Sequence, residues 1–230
     1  MKVVILNLSP RNNGLTASLL HVVEEELKKY KEVHVDFCNI GDYIIAPCLG
    51  CYSCYKTGKC HIDDDGESLS VLIGGADIII FGSPTYASNI TGQGKILIDR
   101  GHFVLEQLLT NKYAICITTG ENYGHKDSLK ILKKLCLYSG AFISKAYPVT
   151  QPYGSRLSEK MIRKTKRAAH KIYKDVVMHK KYILQRVIHS IIFYIGIKPF
   201  VLKRGEQMKG VIKRWESMGL DSFAFQNPFI

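Results

Sequence analysis

The sequence predicts a doubly wound α/β domain built on a parallel β-sheet, and three observations predict it. Short, mostly apolar runs recur at Val3–Leu6, Ile78–Phe81 and Tyr113–Thr118, as strands buried on both faces require. Stretches with helical apolar spacing alternate with these runs, the pattern of a sheet covered by helices. Each run ends in turn chemistry (Ser9 to Gly14, Gly82-Ser83-Pro84, Thr119-Gly120), where parallel sheets carry their binding loops.

Taken in order, the first strand covers Val3–Leu6, and Ser9-Pro10-Arg11-Asn12-Asn13-Gly14 breaks it. Leu15, Leu19, Val22, Val23 and Leu27 then fall at helical spacing. Glu32–Cys38 alternates like a second strand, and Glu67–Gly75 forms a short helix. Asp77–Phe81 is the third strand, Gln93–Leu109 a helix, and Tyr113–Thr118 the fourth strand. Asp127–Tyr138 is helical, Ala141–Val149 is the fifth strand, and Leu157–His179 is a long basic helix. Five such units without a second mononucleotide half point to strand order 2-1-3-4-5, the flavodoxin-like arrangement. Ligands of such sheets bind at the topological switch point, where Ser9–Thr16, Pro84–Thr91 and Thr119–Gly124 converge.

The first of these loops joins a strand to a helix, so its backbone N–H groups and the helix dipole suit a phosphate. Ser9, Asn13 and Thr16 add short donors and Arg11 adds charge. The loop matches neither the dinucleotide nor the Walker pattern. It suits one terminal phosphate monoester, the plain alternative being an ordinary strand-to-helix turn.

Charge is unevenly spread. The chain carries +12, yet residues 156–214 alone hold 17 Lys and Arg against three acidic residues, leaving the remainder slightly acidic. An acidic partner or surface belongs with that basic third. No groove-reading motif accompanies it, which argues against nucleic acid. The first residues lack the apolar core and cleavage site of a secretory signal. With seven cysteines and no such signal, the expected compartment is reducing and cytoplasmic.

Four of those cysteines, Cys48, Cys51, Cys54 and Cys60, form a C-x2-C-x2-C-x5-C run. Two successive x2 spacings match the ferredoxin ligand pattern for a 4Fe–4S cluster. Zinc, which prefers two separated pairs, and free thiols in a substrate-lid loop are the competing readings. His61 is not needed where four thiolates suffice. Cys38, Cys116 and Cys136 fall in strand or helix patterns and read as buried apolar residues. Asp63-Asp64-Asp65 lacks the EF-hand spacing and reads as a solvated helix start.

Three elements together resemble the iron–sulfur flavoprotein branch of the NADPH-dependent FMN reductase family. They are Ser9-Pro10-Arg11-x-x-Gly14-x-Thr16, the cysteine run followed by Asp64-Asp65, and Gly82-Ser83-Pro84-x-Tyr86 with Lys95 and Ile98-Asp99-Arg100. The match covers about residues 1–180. It implies that Ser9, Arg11, Asn13, Gly14, Leu15 and Thr16 cradle the phosphate of FMN. It places Pro84, Thr85, Tyr86 and Ala87 along the isoalloxazine edge and Thr119 and Gly120 on the other side of the ring. The four cysteines would ligate a 4Fe–4S cluster near a flavin, in a dimer or tetramer. The activity implied is electron transfer between FMN and a small acceptor, fed by NAD(P)H or by a one-electron carrier such as ferredoxin. No side chain stands out as an acid–base catalyst. The alternatives are a cluster-free NAD(P)H-dependent flavin, quinone or nitro-compound reductase, and a redox or metal sensor. The chain departs from the family at Leu8, at Leu15 and at Gly66, where relatives carry Gly, often Asn, and Met.

Beyond Lys180 lies a C-terminal helical extension, residues 181–230. Ile183, Leu184, Val187, Ile188, Ile191, Ile192 and Ile195 form one helical stripe opposite Gln185, Arg186 and His189. The stripe is too short to cross a bilayer. It either packs on a partner subunit, the favoured reading, or lies in a membrane interface. Lys209–Leu220 is a last short helix carrying Trp215. Tyr86 and Tyr123 are candidates to stack on the flavin ring, and Asp99-Arg100 reads as an ion pair within the fold or between subunits.

Overall fold

The structure, a computed structural model, describes residues 1–152 and 154–220; positions 221–230 of the expected extension lie outside the described residues. Five parallel strands, β1 (Lys2–Asn7), β2 (His34–Asn39), β3 (Ile78–Pro84), β4 (Tyr113–Gly120) and β5 (Phe142–Thr150), form one sheet in the order β2-β1-β3-β4-β5. This is the expected flavodoxin-like order. All seven residues of β3 are buried, which explains its unbroken apolar run: a central strand has no solvent face.

Side-chain alternation along the strands sorts the core into two layers. Val3, Ile5, Ile78, Ile80, Ile115 and Ile117 meet α1 (Leu15–Leu27) and α6 (Glu159–Val177). Val4, Leu6, Ile79, Phe81 and Cys116 meet α3 (Asp65–Gly74), α4 (Gly92–Arg100) and α5 (His125–Tyr138). Leu19, Leu20, Val23 and Leu27 are the buried stripe of α1, each contributing about 1.5–3 kcal/mol by burial. Helix α1 lies close enough that a Cβ on Gly82 would come within 2.6 Å of Leu20 Cδ1. A side chain at this position of β3 would therefore have to displace Leu20 from the core. Cys38, Cys116 and Cys136 are buried among apolar neighbours, and Leu8 is wholly buried, a core residue beneath the first loop.

The expected helix over Gln93–Leu109 is half that length. Helix α4 stops at Arg100, and the chain continues in turns with His102 and Gln107 at positive φ. Phe103, Leu108 and Leu109 are nevertheless buried in the α3–α5 layer. Gln107 Nε2 donates to the carbonyls of Val104 and Tyr138. Apolar residues packed from successive turns imitate helical spacing, so periodicity alone extended the helix too far.

The extension closes one edge of the sheet. Helix α7 (Ile183–Ile191) lies beside β5. Gln185 Oε1 accepts from Ile143 N–H at 2.8 Å, and its Nε2 donates to Ile143 O at 3.1 Å. A side-chain amide thereby pairs backbone groups that an edge strand leaves open. A π-helical stretch, Ile192–Ile197, runs into α8 (Lys198–Leu202), and a turn leads to α9 (Lys209–Ser217). Phe193, Ile197, Val201, Met208, Val211 and Trp215 make a third cluster, on which Tyr55, Val104 and Leu105 pack.

His189 of α7 hydrogen-bonds Gln107 Oε1 through Nε2 at 2.7 Å. Burial pushes its pKa down to about 4, against about 6.5 in an unfolded chain. Between these values the unfolded state binds the extra proton, so stability falls as pH drops from about 6.5 to about 4, by up to about 3 kcal/mol. Urea unfolding from pH 4 to 7 is expected to show this loss, and His189→Gln, which retains an N–H donor, to flatten it. Equal slopes in the two proteins would exclude His189 as the cause.

Candidate functional site

The expected phosphate loop is shaped by its own polar side chains. Asn7 Oδ1 accepts from Ser9 N–H at 3.2 Å, Asn7 Nδ2 donates to Asn39 Oδ1 at 3.0 Å, and Ser9 Oγ accepts from Arg11 N–H at 3.1 Å. Gly14 is the N-cap of α1 with extended backbone and no side-chain capping bond. The first backbone bond of the helix is Ser18 N–H to Gly14 O. The preceding N–H groups thus form an uncapped, positive helix end. Thr16 Oγ1 and Thr119 Oγ1 lie 2.8 Å apart and buried, joining this loop to the end of β4. Thr85 N–H donates to Thr119 O, and Tyr86 and Asn89 exchange backbone bonds around Ala87 and Ser88, both at positive φ.

These loops enclose a cavity of about 770 Å³. Arg11, Asn13, Gly14, Leu15, Pro84, Thr85, Tyr86, Thr119 and Gly120 line it; Ser9, Thr16 and Ala87 do not. Ser9 and Thr16 act one layer back, holding the loops that form the wall. Further lining residues, Gln151, Pro152, Gly154, Ser155, Arg156 and Leu157, come from the connection between β5 and α6. That connection carries no motif, and only its place after a strand end could have suggested it. Tyr86 lines the cavity, whereas Tyr123 is exposed outside it.

Thr85 Oγ1 and Gln151 Oε1 are buried without a hydrogen-bond partner, and both residues line this cavity. Buried polar atoms are normally paired, so the pair marks where a polar ligand edge fits. An uncapped helix end, arginines at 11 and 156, and two unpaired oxygens suit a ligand with one phosphate and a flat polar ring. FMN has those groups, and the residues present fit it.

All four cysteines line a second cavity of about 250 Å³, together with Arg100, His102, Leu105, Phe200 and Met208 among others. Its entrance loop carries a short helix, α2 (Ser53–Thr57). Cys51 Sγ stands 3.4 Å from His61 Nδ1, and Cys48 Sγ accepts from Gly50 N–H at 3.4 Å. Burial lowers the pKa of His102, but its bonds to the Cys54 sulfur and the Glu106 carboxylate outweigh this and bring it up to about 10. Among the described residues, no three His, Cys, Asp or Glu side chains are grouped to hold a metal ion.

The base of the cysteine loop is clasped. Arg100 NH1 and NH2 donate to Asp64 Oδ2 and Oδ1, both at 2.8 Å, and NH1 also reaches Ala46 O at 2.7 Å. Asp64 further accepts from Ala46 N–H and Gly66 N–H. Both side chains are buried, at 1% and 6% exposure. Burial opposes ionisation of Asp64, yet the Arg100 guanidinium and the two backbone N–H groups hold its carboxyl below the usual range. Asp64 is therefore the N-cap of α3 but not a solvated one, and Arg100 pairs with it across the fold. Asp99 pairs with Lys95 on α4 instead.

Helix α9 then covers α2. A Cβ on Gly210 would lie 2.3 Å from Gly58 N and 2.9 Å from Tyr55 O, so only glycine permits this approach. Trp215 Nε1 donates to Leu105 O at 2.9 Å. Phe200 and Met208 reach the cysteine cavity from this distant part of the chain, with no signal in the sequence to announce them.

The sequence profile of the family described as NADPH-dependent FMN reductase matches residues 1–152. Over 224 residues the chain is 32% identical to an iron–sulfur flavoprotein of Clostridioides difficile (strain 630), covering 96% of this chain and 100% of that one. The C-terminal extension therefore has a counterpart there. An iron–sulfur flavoprotein of Methanocaldococcus jannaschii is 31% identical over 159 residues, 67% of this chain and 81% of that one. Among solved structures, an NADH:FMN oxidoreductase in its apo form superposes with a TM-score of 0.59 at 17% identity, covering 75% of this chain and 89% of that one. A Streptococcus pneumoniae flavodoxin superposes with a TM-score of 0.51 at 15% identity, covering 76% and 97%. These last two likenesses are of fold. No helix among the described residues is long and apolar enough to cross a membrane. By sequence profile and full-length relative alike, the chain belongs to the NADPH-dependent FMN reductase family and is a flavin-dependent oxidoreductase.

Proposed function

We propose that the chain transfers electrons through FMN in the 770 Å³ cavity and through a 4Fe–4S cluster held by Cys48, Cys51, Cys54 and Cys60. FMN, when bound, supplies the exchange between one-electron and two-electron transfer. The chain's own part is binding and orientation. The first turn of α1 and Arg11 receive the phosphate, Thr85 Oγ1 and Gln151 Oε1 take hydrogen bonds from the polar ring edge, and Pro84 and Tyr86 wall the ring. The observation that carries the cluster is that four thiols from one short loop line a single cavity. The names of the two relatives support it. Arg100 and His102 place positive donors beside Cys60 and Cys54, and hydrogen bonds from such donors orient the sulfurs and tune a cluster that they hold. Ligation would draw the loop inward, since the sulfurs are not yet grouped.

That same spacing of the sulfurs favours the second reading, a NAD(P)H-dependent flavin, quinone or nitro-compound reductase with free thiols in a substrate lid. Protein purified anaerobically with iron supplied separates the two. The first reading expects FMN, iron and sulfide together, with Cys51→Ala and Cys54→Ala losing iron but keeping FMN. FMN without iron or sulfide in the wild-type protein would establish the second. FAD as the released flavin, or no flavin, would sink both.

A further inference from the structure

An amphipathic helix on a domain surface ordinarily buries its apolar stripe, and α7 does the reverse. Its polar groups face the fold, Gln185 on the backbone of β5 and His189 on Gln107. Apolar residues of α7 and of the π-helical stretch that continues it face out: Leu184 is 73% exposed, Ile191 53% and Ile195 74%, with Ile183, Val187 and Ile188 also in solvent. A contiguous apolar stripe of this kind on a folded chain marks an interaction surface.

Its surroundings select the partner. Lys180 and Lys181 are exposed immediately before α7, and Lys203 and Arg204 after α8. Along α6 up to the corner before α7, Lys166, Arg167, Lys174 and Lys180 line a groove in which Glu26 of α1 and Asp175 are outnumbered. Tyr182 holds this corner: its hydroxyl donates to Asp175 and accepts from Lys171 Nζ. A second copy laid on the stripe would set one strongly basic surface against another, and like charges in apposition oppose association. Anionic headgroups match the cations, and the acyl boundary matches the isoleucines and leucine.

We propose that the outward face of α7 docks this protein on an anionic lipid membrane, lying in the interface without crossing it. The full-length protein is expected to sediment with phosphatidylcholine vesicles that contain phosphatidylserine and not with phosphatidylcholine alone. Leu184→Ser combined with Ile195→Ser, both exposed, should weaken that binding by about tenfold or more. Lys180→Glu with Lys181→Glu should do the same. In the unmodified chain, amide exchange over 183–195 should slow when the anionic vesicles are added. The proposal is overturned by absence of binding or of that protection, or by undiminished binding of the Ser variant, which would mean charge alone. It is overturned equally if the Ser variant has a lower mass in light scattering than the wild type, because a second copy would then cover the stripe.

Discussion

Replacing Arg100 with Ala is expected to destabilise the protein by about 3–5 kcal/mol, the cost of leaving a buried carboxylate without its partner. The guanidinium makes two bonds to Asp64 and one to Ala46 O. Its loss strands a charge and a carbonyl in the same buried place. Asp64→Asn should cost less than Arg100→Ala, because the amide oxygen can still accept from Gly66 N–H. Replacing both by apolar residues, Arg100→Met with Asp64→Leu, should recover part of the loss, since the pair itself returns little net energy after desolvation. Ala46 and Asp64 bracket the cysteine loop, so the single variants should also speed alkylation of Cys48 and Cys60. Urea unfolding and thiol labelling test both. A loss below about 1 kcal/mol, the range of an exposed pair, would show that the clasp does not hold the loop.

Trp215→Ala is expected to cost about 3–5 kcal/mol, as for other large aromatic truncations in a core. Trp215 is 1% exposed, packs edge-on to Phe193 with ring centroids 5.0 Å apart, and donates to Leu105 O. Truncation leaves a cavity and an unpaired carbonyl at the seam between extension and sheet domain. The extension should then detach before the domain unfolds, seen as cleavage by protease within residues 198–217 and faster labelling of Cys54. Gly210→Val should reproduce the labelling, because its side chain would collide with backbone at Gly58 and Tyr55 without touching the Trp215 site. A single cooperative transition with unchanged Cys54 reactivity in both variants would show that the extension does not govern access to the cysteines.

Much of the fold is legible in the chain because it rests on local order. Val3–Leu6 and Ile78–Phe81 are unbroken apolar runs, and such runs are stable only in strands covered on both faces. The alternation of strands with helices then leaves few ways to lay the sheet. The cavity at the strand ends was readable for the same reason: its loops follow strand ends, and strand ends of a parallel sheet meet at the switch point. What sequence could not separate was wall from support. Ser9 and Thr16 have the chemistry of phosphate donors, yet their hydroxyls bond Arg11 N–H and Thr119 Oγ1, partners revealed only when the loops come together.

The sequence by itself determined the alternation of strands and helices, the loops that follow the strand ends and the spacing of the four cysteines, all set by residues near one another in the chain. Tertiary structure alone decided that Arg100 clasps Asp64, that α9 covers the cysteine loop and that α7 turns its apolar face to solvent. Each of these depends on which distant group satisfies a buried charge, a close backbone approach or an open strand edge. Local periodicity records that a residue is apolar or polar; the partner that makes its burial favourable is supplied by the fold.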